Sequence, residues 1–178
     1  MSDYLSRIFW KENHGRSDDR FGGGPCRAKR RQRRFGEIGF CEVHEGCGHT
    51  IPETGFAVRA GRIADFFSHH TDAQSVATSE FGGRVCRGEM IFSIGVRSTA
   101  TEINLLTFSC GHDPLRFVRP VVIADPTRTR VTDARAQDDS ERPQSGKRSE
   151  TVHGVNPWDP LLLAFDHNHN VQKKEAAA

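Results

Sequence analysis

The feature that most constrains the fold is an alternation of apolar side chains in the middle of the chain. Met90, Phe92, Ile94 and Val96 occupy every second position of "GEMIFSIGV". Successive side chains of a β-strand point to opposite faces, so this pattern predicts a strand with one apolar face. The core is therefore expected to be built on a β-sheet.

Most of the other strand-forming sequence lies within residues 35–124. A strand is predicted at residues 56–59, followed by a short helix that turns Ile63, Phe66 and Phe67 inward. Residues 102–110 and 115–126 predict two further strands, and Pro120 favours an edge position for the second. The predicted fold class is α+β: a small, mostly antiparallel β-sheet core with one or two short helices, stapled by zinc and flanked by disordered tails.

Composition suggests that this core uses only part of the chain. Hydrophobic residues make up 35% of the 178 residues, below the usual share of about 45–50%. Residues 125–150 contain six acidic and six basic residues and little apolar sequence, which predicts a disordered linker. The predicted division is a flexible N-terminal segment at 1–25, an arginine-rich arm at 26–34, the core at 35–124, the linker at 125–150 and a short docking segment at 151–178.

The C-terminal segment carries an apolar stripe at helical spacing. Trp158, Leu161, Leu162 and Phe165 follow an i, i+3, i+4, i+7 pattern, which predicts one face of a short amphipathic helix. Such a segment beyond a linker is typical of a peptide that docks on a protein partner. The alternative is that the segment folds back onto the sheet.

Positive charge is concentrated in the arm at 26–34. Six of its nine residues are Lys or Arg, and none is acidic. Guanidinium groups match phosphate oxygens, and arginine-rich segments often become ordered on RNA. The arm is predicted to bind nucleic acid, RNA or single strands rather than duplex DNA, with a nuclear-localisation signal as the alternative. The residues predicted to make these contacts are Arg27, Lys29, Arg30, Arg31, Arg33, Arg34 and Phe35.

Cysteine and histidine cluster in two short stretches. Zinc prefers thiolate and imidazole ligands that come in closely spaced pairs. One structural zinc ion is therefore predicted, with His44, Cys47, Cys110 and His112 as ligands and Cys41 and Cys86 in reserve. A local site of Cys41, His44, Cys47 and His49 is one alternative, and ordinary buried thiols with surface histidines are the other. The adjacent His69 and His70 are interpreted as surface residues because neighbouring side chains point apart.

Three resemblances accompany these predictions. The order His44-x2-Cys47-Gly48 resembles a zinc knuckle of the treble-clef and zinc-ribbon fingers. The stretch "FDHNHN", with Asp166 and His167, resembles the metal-binding stretch of HNH endonucleases, which implies a metal-dependent nuclease. The plan of the chain resembles that of the geminivirus transcriptional activators, which also place a basic run before a Cys/His site and end in a short aromatic segment.

Together these features predict a non-enzymatic, zinc-binding, nucleic-acid-binding regulatory protein. The alternatives are a structural or assembly component of a ribonucleoprotein or virus particle, and an HNH-like nuclease. The sequence has no run of about 18 apolar residues, and its N-terminus does not follow the pattern of a signal peptide. An intracellular protein without membrane contact is therefore expected, in the cytoplasm or in the nucleus of a eukaryote.

Overall fold

A computed structural model describes residues 35–36, 43–46, 48–99, 107–156 and 159–174. None of the helices in these residues is long and apolar enough to cross a membrane. In chain order, the elements are β1 (Val43–Glu45), β2 (His49–Thr50), α1 (Glu53–Ile63), α2 (Ser68–Thr71), α3 (Ala73–Ala77), α4 (Gly88–Thr99), β3 (Thr107–His112), β4 (Arg116–Phe117), β5 (Pro126–Asp138), β6 (Ser145–Asn156) and β7 (Asp159–Gln172).

The seven strands of the described residues form one antiparallel sheet. Its main strand order is β1-β5-β6-β7-β3, while β2 also pairs with β5 and β4 with β7. The three long strands β5, β6 and β7 follow one another in the chain and pair as neighbours. Their register places Asp133 opposite Glu150 and Glu150 opposite His167.

The helix α4 packs against the three long strands. Ile91, Gly95 and Thr99 are buried at intervals of four residues, as expected for one face of a helix. A Cβ atom on Gly95 would lie 2.9 Å from the Phe165 ring and 3.3 Å from Leu163, so the missing side chain lets the helix approach β7 closely. The sheet and this helix enclose the core, which contains Ile51, Phe56, Cys86, Ile91, Val121, Val131, Val152, Leu162, Leu163 and Phe165.

The prediction of a strand at residues 90–96 is therefore wrong. Met90, Phe92, Ile94 and Val96 are partly buried around α4, and Ile91 between them is fully buried. Because this helix carries apolar side chains on most of its circumference, a two-residue alternation arises without a strand. A run this short and this apolar fits either period.

Two neighbouring predictions also need correction. Residues 53–63 form α1 rather than a strand at 56–59, and Phe56 and Ala60 are its buried residues, one helical turn apart. Phe66 and Phe67 do not turn inward, since 65% and 59% of their surface is exposed.

The region predicted to be a disordered linker contains β5 and the first part of β6. Alternate residues of β5 are buried, namely Thr127, Thr129, Val131 and Asp133. The inward positions carry threonine and charged residues instead of aliphatic ones, so composition alone gives no strand signal. The acidic and basic residues pair across strands: Arg148 of β6 contacts Asp133 of β5.

The predicted docking segment forms the end of β6 and the strand β7, which lies between β6 and β3 in the sheet. Leu162 and Phe165 are 6% and 2% exposed, and Leu163 between them is fully buried, so they belong to the core and not to a free peptide. A strand buried on both faces carries a continuous apolar run. Because nearly every position of such a run is apolar, residues at helical intervals are apolar too, and their spacing does not indicate a helix. Trp158 lies outside the described residues.

Candidate functional site

A carboxylate and a buried guanidinium meet where the chain leaves α1. Ala64 ends this helix in the left-handed conformation, with φ of 54°, and turns the chain so that Asp65 follows in a loop. The Nε of Arg87, a residue that is 2% exposed, donates to Asp65 Oδ2 at 2.8 Å. A second guanidinium nitrogen donates to the Asp65 carbonyl. Arg87 thus fixes both the side chain and the backbone of Asp65.

The electrostatic effect is on the acidity of Asp65. The pKa of the Asp65 carboxyl is lowered below its ordinary value, chiefly by the Arg87 guanidinium. The Phe67 N–H, which donates to Asp65 Oδ1 at 3.2 Å, lowers it further. Hydrogen bonds and positive charge favour the ionised form of a carboxyl group. Asp65 is therefore a carboxylate at neutral pH.

His70, on the short helix α2, faces the same carboxylate. Its Nδ1 lies 2.7 Å from the Val85 carbonyl oxygen. A carbonyl oxygen only accepts hydrogen bonds, so Nδ1 carries the proton and Nε2 of the neutral ring has a free lone pair. That Nε2 lies 3.9 Å from Asp65 Oδ2.

The gap between these two atoms determines what the pair can do. A distance of 3.9 Å is too long for a direct hydrogen bond. Both atoms are proton acceptors, so one water molecule or one substrate hydroxyl can donate to them together. The pair can hold a water molecule, take a proton from it and return the proton to a neighbouring atom, which is general acid–base chemistry.

The surroundings of the pair are apolar and exposed. Phe66 and Phe67 follow Asp65 directly, and the Phe67 ring stacks on His69 with centroids 4.9 Å apart. The hydroxyl of Thr71 donates to the carbonyls of Phe66 and Phe67, which holds this loop in shape. The site therefore presents a polar pair beside an aromatic surface.

The structure separates some of the sequence-predicted zinc ligands. His44 lies on β1 and His112 on β3, at opposite ends of the main strand order. Cys110 is exposed, whereas Cys86 is buried and its pKa is raised to about 12 by that burial. Cys41 and Cys47 lie outside the described residues, so the predicted ligand set as a whole stays a prediction. The pKa of His112 is lowered mainly by burial and further by the nearby His169.

The other predicted site residues are also placed only in part. The arm from Arg27 to Arg34 lies outside the described residues. Phe35 is half-buried beside β7, where its N–H donates to the Gln172 carbonyl and the Lys173 ammonium lies 5.8 Å from its ring. Asp166 and His167 point to opposite faces of β7, as neighbours in a strand must, so they cannot act as one HNH-like unit.

Sequence reasoning missed Asp65, His70 and Arg87. Asp65 and His70 are five residues apart, but an Asp followed by a His at this interval is common and indicates nothing by itself. Arg87 comes close to them only in the folded chain. The hydrogen bond from the Val85 N–H to the His69 carbonyl places the segment that carries Arg87 beside α2. The useful signal is a buried arginine, which needs an anionic partner, and burial cannot be read from one sequence.

No family model matches the sequence, and the comparison with curated proteins gave no match. Solved structures do match. A monoamine oxidase regulatory protein from Archaeoglobus fulgidus is 26% identical, with a TM-score of 0.72 over 80% of this chain and 96% of that one. The R-hydratase PhaJ1 from Pseudomonas aeruginosa is 19% identical, with a TM-score of 0.67 over 82% and 92%. A MaoC-like dehydratase from Rhodospirillum rubrum is 16% identical, with a TM-score of 0.71 over 81% and 99%.

These likenesses establish the hotdog fold, in which an antiparallel sheet wraps around a central helix, here α4. The predicted zinc-stapled core with disordered tails is therefore wrong. The predicted non-enzymatic, nucleic-acid-binding zinc-finger regulator is contradicted as well, because the fold is that of hydratases and dehydratases. Proteins of this fold do assemble with protein partners, as in the ChsH1–ChsH2 complex from Mycobacterium tuberculosis.

Proposed function

We propose that this chain is a hydratase or dehydratase, which adds water to a carbon–carbon double bond beside a carbonyl group or removes it again. The observation that carries the proposal is the meeting of the Asp65 carboxylate with the free Nε2 of His70, 3.9 Å apart. The (R)-hydratase and the MaoC-like dehydratase that share the fold support the same reaction class.

In the hydration direction, one water molecule donates hydrogen bonds to Asp65 and to His70. The imidazole takes the proton, because Arg87 lowers the pKa of Asp65 and leaves its carboxylate the weaker base. The water oxygen bonds to the β-carbon while the electrons of the double bond move toward the carbonyl. The imidazolium then gives its proton to the α-carbon, which completes the addition of one water and restores His70.

The carbonyl group is required by this chemistry. An isolated double bond does not accept a hydroxide, whereas a conjugated carbonyl oxygen takes up the negative charge. The helix α4 begins at Gly88, one residue after Arg87, and the first N–H groups of a helix have no intrahelical acceptor. These donors and the positive end of the helix favour an oxyanion at the start of α4, next to the arginine that holds Asp65.

The aromatic surface beside the pair indicates the rest of the substrate. Phe66 and Phe67 are more than half exposed and flank Asp65. Exposed aromatic side chains of this size beside a polar pair suit a ligand with an apolar chain. The proposed substrate class is accordingly an enoyl thioester or ester with an apolar acyl chain.

The experiment is a hydration assay that follows the loss of absorbance of a conjugated enoyl thioester. Removal of a positioned acid–base group costs roughly 10²–10⁴-fold in rate. Asp65→Asn and His70→Gln should therefore each lower kcat/KM at least about 100-fold. His153→Gln is the matched control, because this histidine lies on β6 and not in the loop that carries Asp65 and His70. Wild-type protein without hydratase activity on short-, medium- and long-chain substrates would contradict the proposal.

We also propose that the protein partner is a second copy of this chain. β3 ends the main strand order, and its Phe108 is 51% exposed. An edge strand with an exposed aromatic residue is a surface that a second sheet can cover. Light scattering of the purified protein should give twice the mass of the chain, and Phe108→Glu should reduce it to one chain.

A further inference from the structure

A band of buried polar side chains crosses the sheet next to the end of α4. Register places Glu150 of β6 opposite His167 of β7, and His112 of β3 on the other side of His167. His169 follows on the same face of β7, two residues further along. Glu150, His167 and His169 are each 1–2% exposed.

The three side chains are already linked. His169 Nε2 lies 3.2 Å from Glu150 Oε2. His167 contacts the hydroxyl of Thr99 through Nδ1 and that of Ser109 through Nε2, both at 2.8 Å. The rings of His167 and His169 have their centroids 3.7 Å apart. No catalytic role in the proposed hydration falls to any of them.

Two buried nitrogen atoms of this band have no hydrogen-bond partner among the described residues. These atoms are His169 Nδ1 and His112 Nε2, and both are inaccessible to solvent. A buried polar atom without a partner costs roughly 1–3 kcal/mol, so such atoms need an explanation. The described side chains therefore leave the polar groups of the band incompletely satisfied.

The charges of the band also favour a cation. Arg148 contacts both Asp133 and Glu150, and all three side chains are at most 5% exposed. Two carboxylates and one guanidinium leave one negative charge in excess among these three residues, and two imidazoles border the carboxylates: His44 Nε2 lies 3.9 Å from Asp133 Oδ2, and His169 Nε2 lies 3.2 Å from Glu150 Oε2. A cation held by imidazole nitrogen and a carboxylate would balance this excess.

We infer that Glu150, His167 and His169 bind one divalent transition-metal ion, with zinc as the expected occupant. One ligand atom from each residue lies within 4.8 Å of the other two. Ligand atoms around a tetrahedral zinc ion are about 3.4 Å apart. Side-chain rotations that move the ligand atoms by about 1 Å would therefore bring them to this spacing. Two imidazoles and one carboxylate are a ligand set that zinc uses in proteins.

His112 is the nearest candidate for a fourth ligand. Its ring stacks on His167 with centroids 4.1 Å apart, and its Nε2 is one of the two atoms without a partner. Both nitrogen atoms of His167 are bonded to hydroxyls, so the ion must displace Thr99 or Ser109 from one of them, and the remaining hydroxyl would then orient the ring. The ion would link β6, β7 and β3 in a sheet that is already folded.

The experiment is a titration of the chelator-treated full chain with Co²⁺ and then Zn²⁺. We expect one ion per chain, with a visible cobalt spectrum free of thiolate bands. Saturating zinc should raise Tm by roughly 5 °C or more. His169→Gln and Glu150→Gln should weaken binding at least about tenfold. His153→Gln, a histidine of β6 outside the band, and Cys110→Ser should bind as the wild type does.

Either of two results would overturn the inference. Absence of stoichiometric binding would mean that His169 and Glu150 only form a hydrogen bond with each other. Binding that survives both ligand variants would place the ion elsewhere. If neither variant folds, anomalous diffraction from zinc-soaked wild-type crystals decides: a peak between Glu150, His167 and His169 supports the site, and its absence refutes it.

Discussion

The contact between α4 and β7 can be tested with one substitution made at two glycines. Gly95 is buried in α4, and a Cβ there would meet the Phe165 ring at 2.9 Å and Leu163 at 3.3 Å. Gly61 lies in α1 and is exposed, and a Cβ there would meet nothing within 4 Å. Both positions are helical, so alanine brings the same gain in helix propensity, about 0.5–1 kcal/mol.

The steric terms differ. At Gly95 the added methyl group must displace side chains that are at most 2% exposed, and overpacking of this kind costs about 1–3 kcal/mol. Gly95→Ala should therefore lower the free energy of unfolding by about 0–2.5 kcal/mol. Gly61→Ala should raise it by about 0.5–1 kcal/mol.

Urea unfolding of both variants and the wild type measures this difference. The midpoints should move in opposite directions without a change in the slope of the transition. Thermal melting should separate the two variants by roughly 3–10 °C. If Gly95→Ala is as stable as Gly61→Ala, then α4 does not lie against β7 as closely as described, and the wrapping of the sheet around this helix is refuted.

Three further predictions follow from the same structure. Arg87→Gln should raise the pKa of Asp65 toward its ordinary value. A lowered pKa gives stability that is present above pH 3.8 and lost as the pH falls through the folded value, so the variant should lose less stability on acidification than the wild type does, as urea titrations at neutral and acidic pH can measure. Cys86, whose pKa is raised to about 12, should resist alkylation in the folded protein at pH 8 while the exposed Cys110 reacts, as peptide mass mapping can measure. Phe165→Ala should lower the free energy of unfolding by about 3–5 kcal/mol in urea titrations, whereas a docking peptide would leave it unchanged.

The sequence allowed the antiparallel sheet to be predicted, but not which segments form it. The apolar run around Ile91 belongs to a helix whose exposed polar side is narrow, with Ser93 and Arg97 one turn apart, and so narrow a polar side does not identify the helix in the sequence. Conversely, β5 and β6 place Thr127, Thr129, Asp133, Arg148 and Glu150 inward. Their burial becomes favourable only when charges on neighbouring strands pair, and this pairing depends on register.

The candidate site could not be predicted from the sequence for a related reason. The roles proposed for Asp65 and His70 depend on hydrogen bonds to Arg87 and to the Val85 carbonyl, which belong to a later part of the chain. His69 and His70 were interpreted as surface residues, but both are only partly exposed and both rings contact Phe67. What was missing was the buried guanidinium that holds an anion next to His70.

The candidate metal ligands of this chain show that the sequence spacing which brings two ligands together depends on secondary structure. On a turn, ligands two to four residues apart can meet, which is the basis of the His44 and Cys47 prediction. On a strand, the productive spacing is two, because His167 and His169 then share a face and register adds Glu150 from β6. Along β7, Leu163 and Phe165 pack under α4, and the histidines begin where this helix ends at Thr99. The band therefore occupies the part of the sheet where helix packing stops, and a bound ion would supply there the cross-strand links that apolar contacts supply elsewhere.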